Sequence, residues 1–136
     1  MNATIPEGFE PHIRPSPITA PWEPIYYKRT QDAVLLGVRL AEPHTNSRGF
    51  AHGGFITALA DNAMGLSCGM KRDGKTRLLT ASLSIDFISS AKIGQWVSIE
   101  TDVIKVGRKL CFAQCIVTAD GKRCARASGT FSVVTD

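Results

Sequence analysis

The stretch GGFITALADNAMGLSCGM, residues 53–70, decides the fold of this 136-residue chain. It contains no proline, and its apolar residues point in nearly every helical direction instead of forming one stripe. A helix of this kind has to be enclosed by the rest of the protein, because no side of it is suited to water. The sequence therefore predicts one long helix at the centre of the molecule.

Runs typical of β-strands flank this helix. Before it, residues 34–41 alternate between two faces with a period of two, and Pro43 ends the run. Four further runs follow the helix, at residues 78–89, 96–106, 109–119 and 123–134. Tight turns at Gly107 and at Asp120 with Gly121 separate the last three. One strand, a buried helix and a meander predict an α+β fold in which an antiparallel sheet of five to six strands wraps around one long helix.

The first 30 residues have a different character. Six of the seven prolines lie at or before Pro24. Because proline fixes φ and removes a backbone donor, this segment can form neither a long helix nor a central strand. We expect a proline-rich arm that covers the core. The whole chain is 43% hydrophobic and 21% charged, which predicts a single globular domain over residues 1–136.

Composition also limits the location and the partners of the protein. Residues 1–20 lack the basic start and apolar core of a signal peptide, and no apolar run reaches the roughly 20 residues of a membrane helix, so we expect a cytoplasmic protein outside the membrane. Four cysteines without a CxxC pair and three scattered histidines predict buried thiols and no metal site. The net charge of +4 is spread along the sequence. It is compatible with a small polyphosphate ligand and does not favour nucleic acid.

Asp61 places a carboxylate on the third turn of the enclosed helix. An unpaired charge is costly there, so Asp61 either serves the chemistry or reaches a backbone group or a lysine. Gly53 and Gly54, which follow His52 at the start of the helix, offer a second ingredient. The first N–H groups of a helix have no internal partner and can donate to a developing oxyanion. A tight turn with a hydrogen-bonding histidine is the structural alternative.

The spacing of Gly53 and Asp61 argues against a site within one chain. Eight residues separate them, which is about 12 Å along a helix axis and too far to act on one carbonyl group. Two antiparallel copies of the helix, related by a twofold axis, could place Gly53 of one subunit beside Asp61 of the other. The spacing therefore predicts a homodimer with two equivalent sites.

The segment from Asn46 through His52-Gly53-Gly54 to Asp61, followed by DFISSAKIG at residues 86–94, closely resembles the PaaI-like hotdog thioesterases of phenylacetate and related acyl-CoA metabolism. The resemblance covers about residues 34–134. It implies a hotdog fold and the hydrolysis of an acyl-CoA thioester to the free acid and coenzyme A. Coenzyme A is then part of the substrate, and no cofactor is needed. Homodimers that pair into a dimer of dimers, a homotetramer, are expected.

The resemblance also implies roles for single residues. Asp61 is the catalytic carboxylate, as a general base or as a nucleophile. The backbone N–H of Gly53 is the oxyanion donor, and Gly54 lies beside it at the substrate. Asn46 helps to hold the thioester through its amide, and His52 orients the loop before the helix.

A water-orienting hydroxyl and a group of basic residues complete the implied site. A gapless alignment puts the hydroxyl on Thr80, with Ser82 as the alternative. The period-two pattern places both on the polar face of their strand, opposite an apolar face made of Leu79, Ala81, Leu83, Ile85 and Phe87. The candidates for binding the coenzyme A arm are Lys92, Arg108 and Lys109.

Two other functions stay open. Hotdog folds also serve enoyl-CoA hydratases and dehydratases, in which a histidine and an acid share a proton transfer. His52 is the only histidine near the acid, and nine positions separate it from Asp61. The third possibility is a protein that binds acyl-CoA without turning it over, against which the retained Asp61, Asn46 and Gly53 argue.

Overall fold

A computed structural model describes residues 4–12 and 14–135. Residues 1–3 and 13 of the predicted arm, and residue 136, lie outside the described residues. The secondary structure comprises β1 (Glu10–Pro11), β2 (Tyr26–Arg29), β3 (Val34–Arg39), α1 (Gly53–Arg72), β4 (Leu78–Phe87), β5 (Trp96–Val106), β6 (Leu110–Ala119) and β7 (Lys122–Val133). Two short 3-10 helices span Ala20–Trp22 and Glu42–His44. Within the described ranges, no helix is long and apolar enough to cross a membrane.

All of these strands join one antiparallel sheet in the order β1-β2-β3-β5-β6-β7-β4. The sheet wraps around α1, which packs against β3 and against every strand from β4 to β7. Leu59, Ala63 and Met64 on α1 are fully shielded from solvent. The predicted hotdog architecture is confirmed. The sheet has more strands than expected because the N-terminal arm contributes β1 and β2.

The N-terminal arm forms one edge of the sheet. β2 pairs with β3, and the two-residue β1 pairs with β2. On the outer face, the rings of Phe9 and Tyr26 lie with their centroids 5.1 and 5.8 Å from that of Trp96. Ile25 points into the core, where it is 1% exposed. The arm therefore covers both the outer face and one side of the core.

β4 forms the opposite edge, and its register changes once. Thr80 pairs with Phe131, and Ser82 pairs with the adjacent residue of β7, Thr130. Ala81 is therefore an extra residue in a β-bulge. An extra residue reverses the alternation of faces, and Thr80 consequently points to the same side as Leu83, toward α1. The period-two pattern predicts Leu79 and Ala81 on the apolar face with Leu83. This prediction is wrong because of the bulge, and Leu79 is 64% exposed.

The fold gathers basic residues that are far apart in the sequence. The end of α1 meets the turns β2–β3 and β5–β6, because Lys71 pairs with Asp32 at 3.2 Å and the Arg72 guanidinium donates to the carbonyl oxygen of Arg108. We call this end the basic pole. Its charged side chains are Arg29, Asp32, Lys71, Arg72, Asp73, Lys75, Arg77, Lys105, Arg108 and Lys109. Among the described residues, eight cationic and two acidic groups give this end a formal +6, against +4 for the whole chain. The even spread of charge in the sequence does not persist in the folded protein.

The four cysteines are free and buried, as predicted. Burial raises the pKa of Cys68 to about 12 and that of Cys115 to about 11. Thiols with such pKa values stay protonated at neutral pH and are poor nucleophiles. The cysteines are therefore core residues.

Candidate active site

Asp61 and Thr80 form a hydrogen-bonded pair where α1 passes β4. The Thr80 hydroxyl donates to Asp61 Oδ1 at 2.6 Å. Asp61 is half-buried, and its Oδ2 has no hydrogen-bond partner among the described residues. Thr80 reaches the helix because the bulge at Ala81 turns it inward. One carboxylate oxygen is thus fixed, and the other is open to a ligand or to water.

The loop before α1, residues 44–52, is held by two of the predicted site residues. Asn46 Oδ1 accepts from the backbone N–H groups of Arg48 at 2.9 Å and Phe50 at 3.2 Å. His52 is the N-cap of α1, and its Nδ1 accepts from the backbone N–H of Gly54 at 2.8 Å. Since the oxygen of Asn46 holds the loop, its amide NH₂ is the part that can donate to a ligand.

Gly53 begins α1 with a backbone N–H that has no acceptor among the described residues. The positive end of the helix dipole adds to this donor, so the position suits an oxygen that gains negative charge. A Cβ atom at Gly53 would lie 3.1 Å from Cζ of Phe87, which is tighter than normal packing. A side chain at this position would therefore require the Phe87 ring to move by a few tenths of an ångström.

A cavity of about 340 Å³ opens beside Gly53. Its walls include Asn46, Arg48, Gly53, Ile56, Phe87 and Cys124. Burial raises the pKa of the Cys124 thiol, so this cysteine is a wall of the cavity and not a nucleophile. A more open groove of about 810 Å³ crosses the outer faces of β4 to β7, and it includes none of the predicted catalytic residues. The cavity at Gly53 is therefore the candidate binding site.

The predicted catalytic residues fall into two groups within one chain. Asp61 and Thr80 make one group, and Asn46, His52 and Gly53 make the other. The two groups are separated by about 12 Å along α1, so one carbonyl group cannot contact both. This is the separation that the sequence predicts.

The remaining predicted residues are dispersed. Ser82 lies on the outer face of β4, away from Asp61, because the neighbouring Leu83 packs against the core. Lys92 pairs through its backbone with Phe50 beside the 44–52 loop. Arg108 and Lys109 belong to the basic pole at the other end of α1. A single chain therefore cannot bring all three basic candidates to one ligand.

Two features of the site escaped the sequence reasoning. Arg48 and Phe87 line the cavity, although both stand inside or next to the motifs that carry the family resemblance. The rest of the basic pole was also missed, except for its two members Arg108 and Lys109. The basic loop at residues 71–77 was the one sign of the basic pole in the sequence. The other basic residues of the pole lie in or next to the β2–β3 and β5–β6 turns, and only the folded structure shows that these turns meet the loop.

Comparison with known proteins identifies the family. Residues 48–125 match the thioesterase superfamily. The Pseudomonas aeruginosa protein PA0474, which carries an esterase name, is 33% identical over 93% of this chain and 96% of its own length. Human acyl-coenzyme A thioesterase 13 is 32% identical over 71% of this chain and 70% of its own. A variant of the phenylacetic acid degradation protein PaaI from Thermus thermophilus superposes with a TM-score of 0.73 at 22% identity, covering 81% of this chain and 93% of that one.

This chain therefore belongs to the thioesterase superfamily. Within that family it is a PaaI-like hotdog protein, as the sequence motifs indicate, and it is a thioester hydrolase.

Proposed function

We propose that the protein is an acyl-CoA thioesterase in which two subunits form each active site and Asp61 is the catalytic carboxylate. The observation that carries the proposal is the division of the site, with Asp61 and Thr80 in one place and the free N–H of Gly53 about 12 Å away. The similarity to human acyl-coenzyme A thioesterase 13 supports acyl-CoA as the substrate class.

One twofold axis can join the two groups. An antiparallel pairing of α1 helices centred on Thr57 brings Gly53 of one subunit to Asp61 of the other. In each chain Phe87 packs at Gly53 and Thr80 binds Asp61, so the same axis must pair the β4 strands antiparallel about their middle. β4 is suited to this pairing because it is a ten-residue edge strand with free backbone groups.

The chemistry follows from this arrangement. The thioester oxygen accepts a hydrogen bond from Gly53 N–H, while the Asn46 amide of the same subunit helps to hold the thioester. Asp61 of the other subunit, with Oδ1 fixed by Thr80, uses Oδ2 to take a proton from water as the water oxygen attacks the carbonyl carbon. The C–S bond then breaks, and the proton passes to the sulfur of coenzyme A. In the nucleophilic variant, Asp61 attacks first and water hydrolyses the resulting anhydride.

The phosphates of coenzyme A are assigned to basic residues of both subunits. Arg72 lies eleven residues beyond Asp61, about 16 Å further along the helix. In the antiparallel dimer, the basic pole of one subunit therefore lies beyond Gly53 of the other subunit. Lys92 of that other subunit lies at the same end. Lys92, Arg108 and Lys109 can then act on one ligand, which they cannot do within a single chain. A pairing of dimers is supported by exposed apolar residues on the outer face, among them Leu79 and Phe112. We also propose a cytoplasmic location.

The decisive experiment follows the release of free coenzyme A from phenylacetyl-, hydroxybenzoyl-, acetyl-, hexanoyl- and lauroyl-CoA. Asp61→Asn keeps the shape of the side chain and removes its charge, so kcat should fall at least about 100-fold. Asp102→Asn, which changes an exposed acid on the outer face of the sheet, is the matched control and should leave kcat unchanged. Equal activity of wild type and Asp61→Asn would exclude Asp61 as the catalytic acid. A wild type that is silent on the whole panel would contradict acyl-CoA hydrolysis.

The hydratase alternative is not proposed. In that chemistry a histidine has to share a proton with the acid, whereas His52 already uses Nδ1 to cap α1 and no hydrogen bond joins its ring to Asp61 within the described residues of one chain. A protein that only binds acyl-CoA would show tight binding without thiol release in the same assay.

A further inference from the structure

His44 is a buried histidine that the proposed mechanism does not use. It is 3% exposed and ends the short 3-10 helix before the 44–52 loop. Its Nδ1 accepts from the backbone N–H of Ala41 at 3.0 Å, and its Nε2 lies 2.8 Å from the carbonyl oxygen of Trp22. A carbonyl can only accept, so Nε2 carries the hydrogen and donates it. Both ring nitrogens are thus engaged, and the neutral tautomer is fixed.

The imidazole ring is also clamped by aromatic side chains. It stacks on Phe55 with a centroid distance of 4.5 Å and an interplanar angle of 18°. Phe55 belongs to the first turn of α1, and the edge of Trp22 from the N-terminal arm meets it at 5.1 Å. His44 therefore connects the arm directly to the start of the helix.

The backbone of His44 continues this connection to the oxyanion donor. Its carbonyl oxygen accepts from the N–H of His52 at 2.9 Å, and His52 Nδ1 accepts from the N–H of Gly54 at 2.8 Å. Gly53 stands between these two anchored residues. The direction of its free N–H is consequently set by a chain of hydrogen bonds that begins at the Trp22 carbonyl in the arm.

We infer that His44 is a positioning residue that fixes the Gly53 N–H for catalysis and makes the N-terminal arm part of the active-site support. The inference rests on the proposed function, since it assigns Gly53 as the oxyanion donor. His44 does not touch the substrate in this scheme. Loosening it should affect the transition state, in which the oxygen is charged, more than the binding of the ground-state thioester.

The test uses three substitutions in the full chain. His44→Phe keeps the ring stack on Phe55 and removes both hydrogen bonds, and kcat should fall about tenfold or more while KM changes less than about twofold. His44→Asn keeps an acceptor near Nδ1, and His44→Gln keeps a donor near Nε2. Both should recover part of the rate, and the larger recovery identifies the more important bond.

Ser67→Ala is the matched control for a general loss of stability. Ser67 is a fully buried polar residue of α1, the helix that begins at Gly53. Its hydroxyl accepts a hydrogen bond from the backbone N–H of Val34 at 3.0 Å and donates one to the Val34 carbonyl oxygen. Its replacement should lower the melting temperature without changing kcat. A loss of kcat in Ser67→Ala equal to that in His44→Phe would overturn the inference.

Amide hydrogen exchange gives a readout that does not depend on activity. The Gly54 amide should exchange at least about tenfold faster in His44→Phe than in the wild type, and at the wild-type rate in Ser67→Ala. Unchanged Gly54 exchange together with unchanged kcat in His44→Phe would refute the positioning role. A wild type without thioesterase activity would defeat the proposed function alone, because the exchange experiment would still decide whether His44 holds the start of α1.

Discussion

At the scale of single residues, the position of Thr80 depends on one extra amino acid. The bulge at Ala81 turns the Thr80 hydroxyl toward Asp61 and moves Leu79 to the surface. Without the bulge, the continuous alternation read from the sequence would put a leucine opposite the carboxylate. The hydroxyl fixes one oxygen of Asp61, and its own oxygen stays available to accept a hydrogen bond from water.

Thr80→Val tests this role because it replaces the hydroxyl by a methyl group of similar volume. We expect kcat for thiol release to fall about tenfold, with little change in KM, since Asp61 loses the bond that orients it. Thr118→Val, at a half-buried position near the end of β6, serves as the control and should retain the wild-type rate. A wild-type kcat in Thr80→Val would show that the hydroxyl neither orients Asp61 nor assists water.

At the scale of elements, His44 connects the N-terminal arm to α1, and protonation of its imidazole ring affects the stability of the folded protein. Burial lowers the pKa of His44 from its ordinary 6.5, and the hydrogen bond to the Trp22 carbonyl opposes this shift only in part. The unfolded chain therefore binds a proton at a higher pH than the folded chain does. Below pH 6.5 protonation favours the unfolded state, and the free energy of unfolding falls until the pH reaches the lowered pKa.

We expect the free energy of unfolding to decline between pH 7.5 and 5.5, and to decline more in the wild type than in His44→Phe. The variant lacks the titratable imidazole at position 44. Urea denaturation at several pH values measures it. Asp73 does not interfere, because hydrogen bonds from Thr76 and Lys75 lower its pKa to about 2, and its contribution is lost only between pH 3.8 and 2. Parallel curves for the two proteins would contradict the contribution of His44.

Elements governed by local rules could be predicted from the sequence. β5 has the predicted bounds, and α1 begins at the predicted Gly53, because turn residues and hydrophobic periodicity act over a few positions. The bulge at Ala81 and the pairing of β2 with β3 depend on which strand lies alongside, and a single sequence does not state this. The same distinction holds for the site. Asp61 and Gly53 stand out by chemistry, whereas His44 acquires its partners only when the arm folds back.

At the scale of the whole molecule, the division of the site predicts complementation between defective subunits. Asp61→Asn and Asn46→Ala should each abolish most activity as homodimers. In a hybrid dimer with one subunit of each kind, one site combines the intact Asn46 of the first subunit with the intact Asp61 of the second. The purified hybrid, isolated through two different tags, should therefore show about half of the wild-type kcat.

If each site were contained within a single chain, the hybrid would be inactive, because each of its subunits would lack one catalytic group. An inactive hybrid that is still dimeric by sedimentation would rule out the shared site. The two homodimeric variants, measured at the same concentration, give the background rate.

The basic pole has a consequence for the field around the protein. A subunit whose described side chains carry a formal +6 at one end, against +4 for the whole chain, has a large permanent electric dipole moment. In the proposed antiparallel dimer two such dipoles would oppose each other, so most of the net moment would cancel and a field with a cationic lobe at each end would remain. Each lobe lies where the pole of one subunit passes the Gly53 of the other. If the proposed dimer and its acyl-CoA substrate are right, the polyanionic substrate would be drawn from solution to the two mouths of the active sites and away from the sides of the dimer.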